Sequence, residues 1–329
     1  MRVGVLGMGA VGARAVRQLA TTTEPPELFV ADLDETKVER IAAALAPGVV
    51  AVGVDELRHL DVVVLAMPAP HAELAKAHIL AGSSVVSVSD DVADVDELLK
   101  LASLALERNR TLVVGAAFAP GLSGLLARYA AGRFDQVDEL HVAAHGTGGP
   151  ACARQHHQAL AGLALAWQDG MWIERSSGSG RELCWFPDPV GAHDCYRAEL
   201  ADPLLLVPAF PGVARVSARL SATRRDRITA RLPMLRPPHP EGTLGAVRVE
   251  VRGTRGGARA IEVLGAIDRP AVAAGAVAAI AVTHVLARGG SPVGVVGMAD
   301  ARLDTEGLLI ELALRGVKAA RYVGAAAVS

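Results

Sequence analysis

Residues 1–34, MRVGVLGMGAVGARAVRQLATTTEPPELFVADLD, decide the fold. Arg2 to Leu6 is a short β-branched run. Gly7-Met8-Gly9-Ala10-Val11-Gly12 follows at once, and Ala13 to Ala20 continues at helical spacing. Leu28 to Ala31 is a second apolar run, closed by Asp32. The order is strand, glycine turn, helix, strand, acid, which is the dinucleotide-binding arrangement. In that arrangement Gly7 permits the tight turn and Gly9 lets backbone approach a pyrophosphate. Gly12 lets the helix pack close to the strand, and the pyrophosphate rests on free N–H groups at the helix start. Asp32 is placed to accept hydrogen bonds from the adenosine ribose and to repel a 2′-phosphate. NAD is therefore the expected cofactor, with NADP the alternative.

Working outward, strands and helices alternate without a break for about 130 residues, the signature of a doubly wound parallel sheet. Helical spacing covers Glu35 to Leu45, His71 to Ala81, Val95 to Arg108 and Ser123 to Ala131. Strands are expected at Val49 to Val54, Asp61 to Ala66, Ser84 to Val88 and Leu112 to Val114. Ligands of such sheets lie at the carboxyl ends of the strands. That places Leu33, Ala66, Met67, Pro68, Ser89 and Pro120 beside the cofactor, together with residues 7–12 and Asp32.

The rhythm then changes. Glu139 to Ala144 reads as a strand, His145 to Pro150 as a loop and Ala151 to Gln168 as a helix. Trp172 to Arg175 and Glu182 to Phe186 read as strands around a Ser/Gly turn. Ala246 to Gly253 alternates cleanly and pairs with Ala258 to Gly265 across Arg255-Gly256-Gly257. Helix returns at Pro270 to Ala287 and Thr305 to Arg315. The fold class expected is α/β: a Rossmann domain over residues 1–134 and an α+β substrate and dimerisation domain over 135–267. Residues 268–329 are expected to pack back on the nucleotide domain. An open sheet face in the second domain points to a homodimer.

Composition narrows the function classes. The chain has 329 residues, 51% hydrophobic, with a net charge of −2, so neither nucleic acid nor an anionic membrane is an expected partner. Ala271 to Ala287 is short and interrupted by Thr283 and His284, a buried helix rather than a bilayer span. The amino terminus is consumed by the first strand and helix, which argues against a signal peptide and for a cytoplasmic enzyme. Cys152, Cys184 and Cys195 form no C-x-x-C pair and read as reduced thiols. His193-Asp194-Cys195 fits no usual zinc spacing, and no metal is expected.

Four passages carry a resemblance to the saccharopine dehydrogenase/reductase-like family. They are Gly7 to Gly12, Ala119-Pro120-Gly121-Leu122, His145-Gly146-Thr147-Gly148-Gly149-Pro150, and Trp185-Phe186-Pro187-Asp188-Pro189-Val190-Gly191. The resemblance implies hydride transfer between a nicotinamide and a carbon bonded to nitrogen, in a cleft between two domains. Relatives acting on saccharopine carry an acid where this chain has Ala119, and a cysteine nearest to His145. The resemblance therefore points to a small imine/amine or carbonyl substrate, with amino-acid-derived compounds among the candidates, rather than to saccharopine itself. A non-catalytic nucleotide sensor and a reductase of an activated C=C bond are the alternatives.

Hydride transfer needs a proton donor or acceptor with a pKa near the working pH, and histidine fits unperturbed. His145 ends a strand at the glycine loop and is the first candidate. His156 and His157 follow on a helix, where adjacent side chains diverge by about 100° and only one can face the cleft. His71 reads as a helix start. Asp90 and Asp91 end a strand on the ligand-binding edge; one of them, with Asp91 the catalytic candidate, is expected to contact the nicotinamide ribose or a substrate amine, and Ser89-Asp90-Asp91 is equally a helix-cap sequence. Arg154 and Arg181 are candidates to hold a substrate carboxylate, and Trp185 to line the pocket.

Overall fold

The computed structural model describes residues 1–45, 47–234, 237–286 and 292–322. The last residues of the expected 268–329 segment, and Ala287 of the expected helix, lie outside the described residues. The first half runs β1 (Arg2–Leu6), α1 (Ala10–Ala20), β2 (Glu27–Ala31), α2 (Glu35–Leu45), β3 (Val49–Ala51), β4 (Val62–Leu65), α3 (Ala72–Leu80), β5 (Ser84–Ser87), α4 (Val92–Leu99), α5 (Ala102–Glu107), β6 (Thr111–Val114) and α6 (Leu122–Ala131). All its strand pairs are parallel, in the order β3-β2-β1-β4-β5-β6. This is the Rossmann order, and the direction of winding reverses between β1 and β4. Helices cover both faces, so the central strands are buried on both sides. β4 (VVVL) and β6 (TLVV) are accordingly apolar and wholly buried, without alternation.

The chain then builds a mixed sheet. Its elements are β7 (Gln136–His145), α7 (Pro150–Ala159), β8 (Leu163–Gln168), β9 (Met171–Ser176), β10 (Glu182–Trp185), β11 (Ala192–Arg197), α8 (Asp202–Ala209), β12 (Arg215–Ser221), α9 (Arg224–Thr229), β13 (Gly245–Arg255) and β14 (Ala258–Asp268). The tail adds α10 (Pro270–Ile280), β15 (Gly294–Gly297), α11 (Thr305–Leu314) and β16 (Lys318–Tyr322). Among the described residues the sheet runs β10-β11-β12-β7-β13-β14-β16, with β8 on β12 and β9 on β8. The β13–β14 hairpin stays in register from Gly245↔Asp268 to Arg255↔Ala258. Its outward face is ionic: Glu250 accepts from Arg248 and Arg252, each at 2.5 Å.

Several elements differ from what the periodicity predicts. Ala151 to Gln168 is not one helix. It stops at Ala159, and Leu163–Gln168 pairs residue by residue with β9. The segment LALAWQ has helix-forming residues, but pairing with β9 and β12 overrides that local preference. β9 therefore does not pair with β10. β10 pairs with β11, which the sequence does not announce. The apolar run of α8 (DPLLLVPA) reads as no clear pattern because it packs on several sides.

The tail divides between the two sheets. α10 (PAVAAGAVAAI) packs along α1, and the small residues allow it. A Cβ on Gly275 would lie 2.6 Å from Arg14 Cβ. β15 extends the first sheet beside β6, whereas β16 pairs with β14 in the second. Among the described residues no helix is long and apolar enough to cross a membrane.

One contact fixes how α1 meets β1. A Cβ on Gly12 would stand 1.9 Å from the Gly7 carbonyl oxygen, a backbone atom that cannot swing aside. Gly12→Ala is expected to cost about 1–3 kcal/mol through this overpacking. Chemical denaturation of the variant checks it, and an unchanged midpoint would contradict the packing described.

Candidate active site

A cleft of about 560 Å³ opens beyond the carboxyl ends of β1, β4, β5 and β6. Its opposite wall is the Gly148-Gly149-Pro150 turn and the first turns of α7, with Pro270 and Ala274 beside them. The cleft thus lies at the switch point of the first sheet and is closed by the second half of the chain.

At one end is the glycine turn. Gly7 has φ +101°, and a Cβ there would lie 2.5 Å from Met67 N. A Cβ on Gly9 would meet nothing within 4 Å, so the backbone there faces open space. α1 begins at Ala10 with no side-chain cap. Its first N–H groups therefore present a positive, unfilled end to the cleft. Asp32 accepts from Met8 N–H at 2.6 Å and from Asp34 N–H at 3.3 Å, and it lines the cleft with Leu33. These features fit a dinucleotide: an uncapped helix start, a backbone approach free of side chains and an acid at the end of β2.

The wall between the two ends is held by His71, which is fully buried. Its Nε2 lies 2.8 Å from Met67 O, which can only accept, so Nε2 carries the proton. Nδ1 then accepts from Ser87 O–H at 2.8 Å. Burial pushes this imidazole below its ordinary pKa, consistent with a neutral ring. Asp94 of α4 accepts from the backbone N–H groups of His71 and Ala72, at 2.7 and 3.0 Å. His71 is thus the strut that fixes the Met67–Pro68 wall.

At the far end, Asp90, Cys152 and His156 meet. His156 Nε2 lies 3.6 Å from Cys152 Sγ and 3.7 Å from Asp90 Oδ2. Asp90 follows β5, whereas Cys152 and His156 stand one turn apart on α7. Burial opposes the charged form of His156. The Cys152 sulfur and the Asp90 carboxylate outweigh it and hold the imidazole well above its ordinary pKa. Beneath this cluster, Asp202 is buried and accepts from Ser123 O–H at 2.5 Å. Burial raises its carboxyl to about 6.

The structure sorts the residues to which the sequence points. Gly7, Gly9, Ala10, Val11, Asp32, Leu33, Ala66, Met67, Pro68, Ser89, Arg154 and His156 all line the cleft. Met8 is buried and contributes through its backbone N–H to Asp32, and Gly12 packs beneath Gly7. Pro120 turns inward against Gly115, leaving Ala117, Phe118 and Ala119 at the cleft.

Five candidates lie elsewhere. His145 falls on the opposite face of β7 from Ala144, which lines the cleft, because strand side chains alternate. There it stacks on His193 with ring centroids 4.1 Å apart and bonds Ser221 Oγ at 2.8 Å. Burial, and then His193, lower its pKa to about 4. Asp91 caps α4 by accepting from Asp94 N–H at 2.9 Å. Arg181 is exposed and pairs with Asp194 at 2.9 Å, and Trp185 is exposed on β10. His157 diverges from His156 as helix geometry requires and reaches the Thr229 carbonyl at 2.8 Å. The residues missed are Cys152 and Gln155, and of the Asp90/Asp91 pair it is Asp90 that reaches the cleft. The signal for Cys152 was its spacing of four from His156 on the helix after the glycine loop.

Several known proteins are similar to this chain. Residues 2–91 match the family described as NADP oxidoreductase, coenzyme F420-dependent. Inositol 2-dehydrogenase 3 of Saccharopolyspora erythraea is 28% identical over 162 residues. That match spans 48% of this chain and less than half, 45%, of the relative's length. Apo saccharopine dehydrogenase (L-Glu forming) from Saccharomyces cerevisiae superposes with a TM-score of 0.71 at 15% identity, over 98% of this chain and all of that one. Amine dehydrogenase from Mycobacterium smegmatis gives 0.54 at 14% identity, over 92% and 96% of the two chains.

The buried carboxyl of Asp202 makes a signed prediction. Its pKa is raised from 3.8 to about 6 on folding, so the folded state binds the extra proton between those values. Its contribution to stability is therefore lost as pH rises through that window. Asp202→Asn should gain on the wild type by on the order of 2–3 kcal/mol between about pH 4 and pH 7 and level off above. Urea unfolding across that range checks it; a pH-independent difference would contradict it. Residues 2–91 thus match an NADP oxidoreductase family model, and the chain as a whole has the fold of saccharopine dehydrogenase.

Proposed function

We propose that this chain is an NAD(P)-dependent dehydrogenase or reductase. It moves a hydride to or from a small imine/amine or carbonyl substrate, with NAD the preferred cofactor. The observation that carries the proposal is the make-up of the cleft. One end is a dinucleotide cradle, the middle is apolar (Met67, Pro68, Phe118, Ala119), and the other end gathers Ser89, Asp90, Cys152 and His156.

The backbone at Gly9 and the start of α1 receives the pyrophosphate, and Asp32 accepts from the ribose hydroxyls. Bound there, NAD(P) supplies or accepts the hydride at its nicotinamide. The Met67–Pro68 wall, held by His71, keeps water from that ring. Asp90, Cys152 and His156 act on the nitrogen or oxygen of the reacting carbon. Arg154, on the same wall of α7, is the group to hold a substrate carboxylate. A nucleotide sensor without turnover would have no use for these converging polar groups at the far end.

Calorimetric titration with NADH and NADPH separately tests the cofactor assignment. NADH is expected to bind at least about tenfold tighter, the equivalent of ~1.4 kcal/mol. Asp32→Ala should remove most of that preference. Tighter binding of NADPH would contradict the role given to Asp32, and binding of neither would contradict the function.

A further inference from the structure

The far end of the cleft brings a thiol, an imidazole and a carboxylate together. Cys152 Sγ and Asp90 Oδ2 both approach the same imidazole nitrogen, at 3.6 and 3.7 Å. The Cys152 contact has the ordinary length of a hydrogen bond to sulfur, while the Asp90 contact is longer than a hydrogen bond, so a single ring nitrogen is approached by both a sulfur and a carboxylate oxygen. A common centre explains both. The donor atoms of the three side chains all lie within 4.8 Å of one another.

A tetrahedral zinc ion binds sulfur at about 2.3 Å, imidazole nitrogen at about 2.0–2.1 Å and carboxylate oxygen at about 2.0–2.2 Å. Its ligand atoms are then separated by about 3.3–3.6 Å. The two measured edges already come near that figure.

We propose that Asp90, Cys152 and His156 form a three-ligand site for a divalent ion of the zinc type, with its fourth position open to the cleft. Thiolate, imidazole and carboxylate together are a donor set that zinc accepts and that magnesium and calcium do not. Thiolate and carboxylate neutralise the charge of the ion. Cys152 is the third residue of the ten-residue α7. Asp90 comes from the first sheet and the other two ligands from the second half of the chain, so the ion ties the walls of the cleft together. All three residues line the cleft, so the remaining vertex faces the space left for substrate.

The use made of the ion rests on the proposed hydride transfer; its binding does not. At that vertex the ion holds the oxygen or nitrogen of the substrate and polarises its double bond. As hydride reaches the carbon, the π electron pair moves onto the held atom, which then takes a proton from water. In the reverse direction an alcohol or amine loses that proton first. The substrate class narrows to small molecules whose reacting oxygen or nitrogen is free to bind an ion.

The test uses the full-length protein. Zinc is first measured by elemental analysis. The protein is then stripped with chelator and titrated with cobalt(II). One zinc per chain is expected. Cobalt should bind one to one, with tetrahedral visible bands and a near-ultraviolet sulfur-to-cobalt charge-transfer band. Cys152→Ser should abolish the charge-transfer band, and His156→Ala should weaken binding by more than about 100-fold, the upper end of what losing an outer-shell partner costs. The double variant Cys184→Ser, Cys195→Ser should bind as the wild type, which separates this site from the other two thiols. Thermal unfolding confirms that each variant folds; the wild-type spectrum stands if one does not. Absence of saturable cobalt uptake, or a charge-transfer band that survives in Cys152→Ser, overturns the proposal. NADH titration of the stripped protein separates the two readings. NADH binding without cobalt uptake removes the ion alone, and cobalt uptake without NADH binding removes the dehydrogenase.

Discussion

The approach of Gly12 to the Gly7 carbonyl is the constraint on which the rest of the structure depends. Space for a single methyl group is missing there. Because it is missing, α1 docks against the turn, its uncapped start faces the cleft, and Gly9 is left bare. The Met8 N–H then reaches Asp32 and fixes the carboxylate at the end of β2. α10 follows the same rule on the other side of α1, where Gly275 meets Arg14 and Ala15. A chain that must return from its second sheet to pack on its first helix does so through small residues, and the alanine-rich run of α10 supplies them.

The cleft is then assembled from both halves. Strand ends of the first sheet give Asp32, Ala66, Ser89 and Asp90, while α7 gives Cys152 and His156. Two of these polar groups face one another across the junction, 3.7 Å apart. Neither half has the cluster alone, so the cluster depends on how the two sheets are joined. His71 and Asp94 hold the wall between the ends with backbone and side-chain hydrogen bonds that are buried or partly buried, where each is worth more than at the surface.

Local patterns made the nucleotide half legible in the sequence. Buried parallel strands are short apolar runs, and a glycine turn between strand and helix has a mechanical meaning at each position. The β13–β14 hairpin was legible for a similar reason, since alternation and the Gly256-Gly257 turn are both local. The rest depended on contacts distant in sequence. LALAWQ becomes β8 only because β9 and β12 are there to pair with it. His145 and Ala144 differ by one position in a strand, and nothing local says which face meets the cleft. Asp90 and Asp91 exchange roles in the same way: one faces the cleft and the other caps a helix. Arg181 is drawn away by Asp194 on the neighbouring strand.

The central claim is that one cleft holds a dinucleotide with its reactive end toward the Asp90–Cys152–His156 cluster. The most direct measurement is a crystal structure of the protein with NADH bound. The pyrophosphate is expected over Gly9 and the start of α1, the adenosine ribose on Asp32, and an unobstructed nicotinamide facing His156. A nicotinamide covered by protein atoms, or a dinucleotide bound outside this cleft, would contradict the claim.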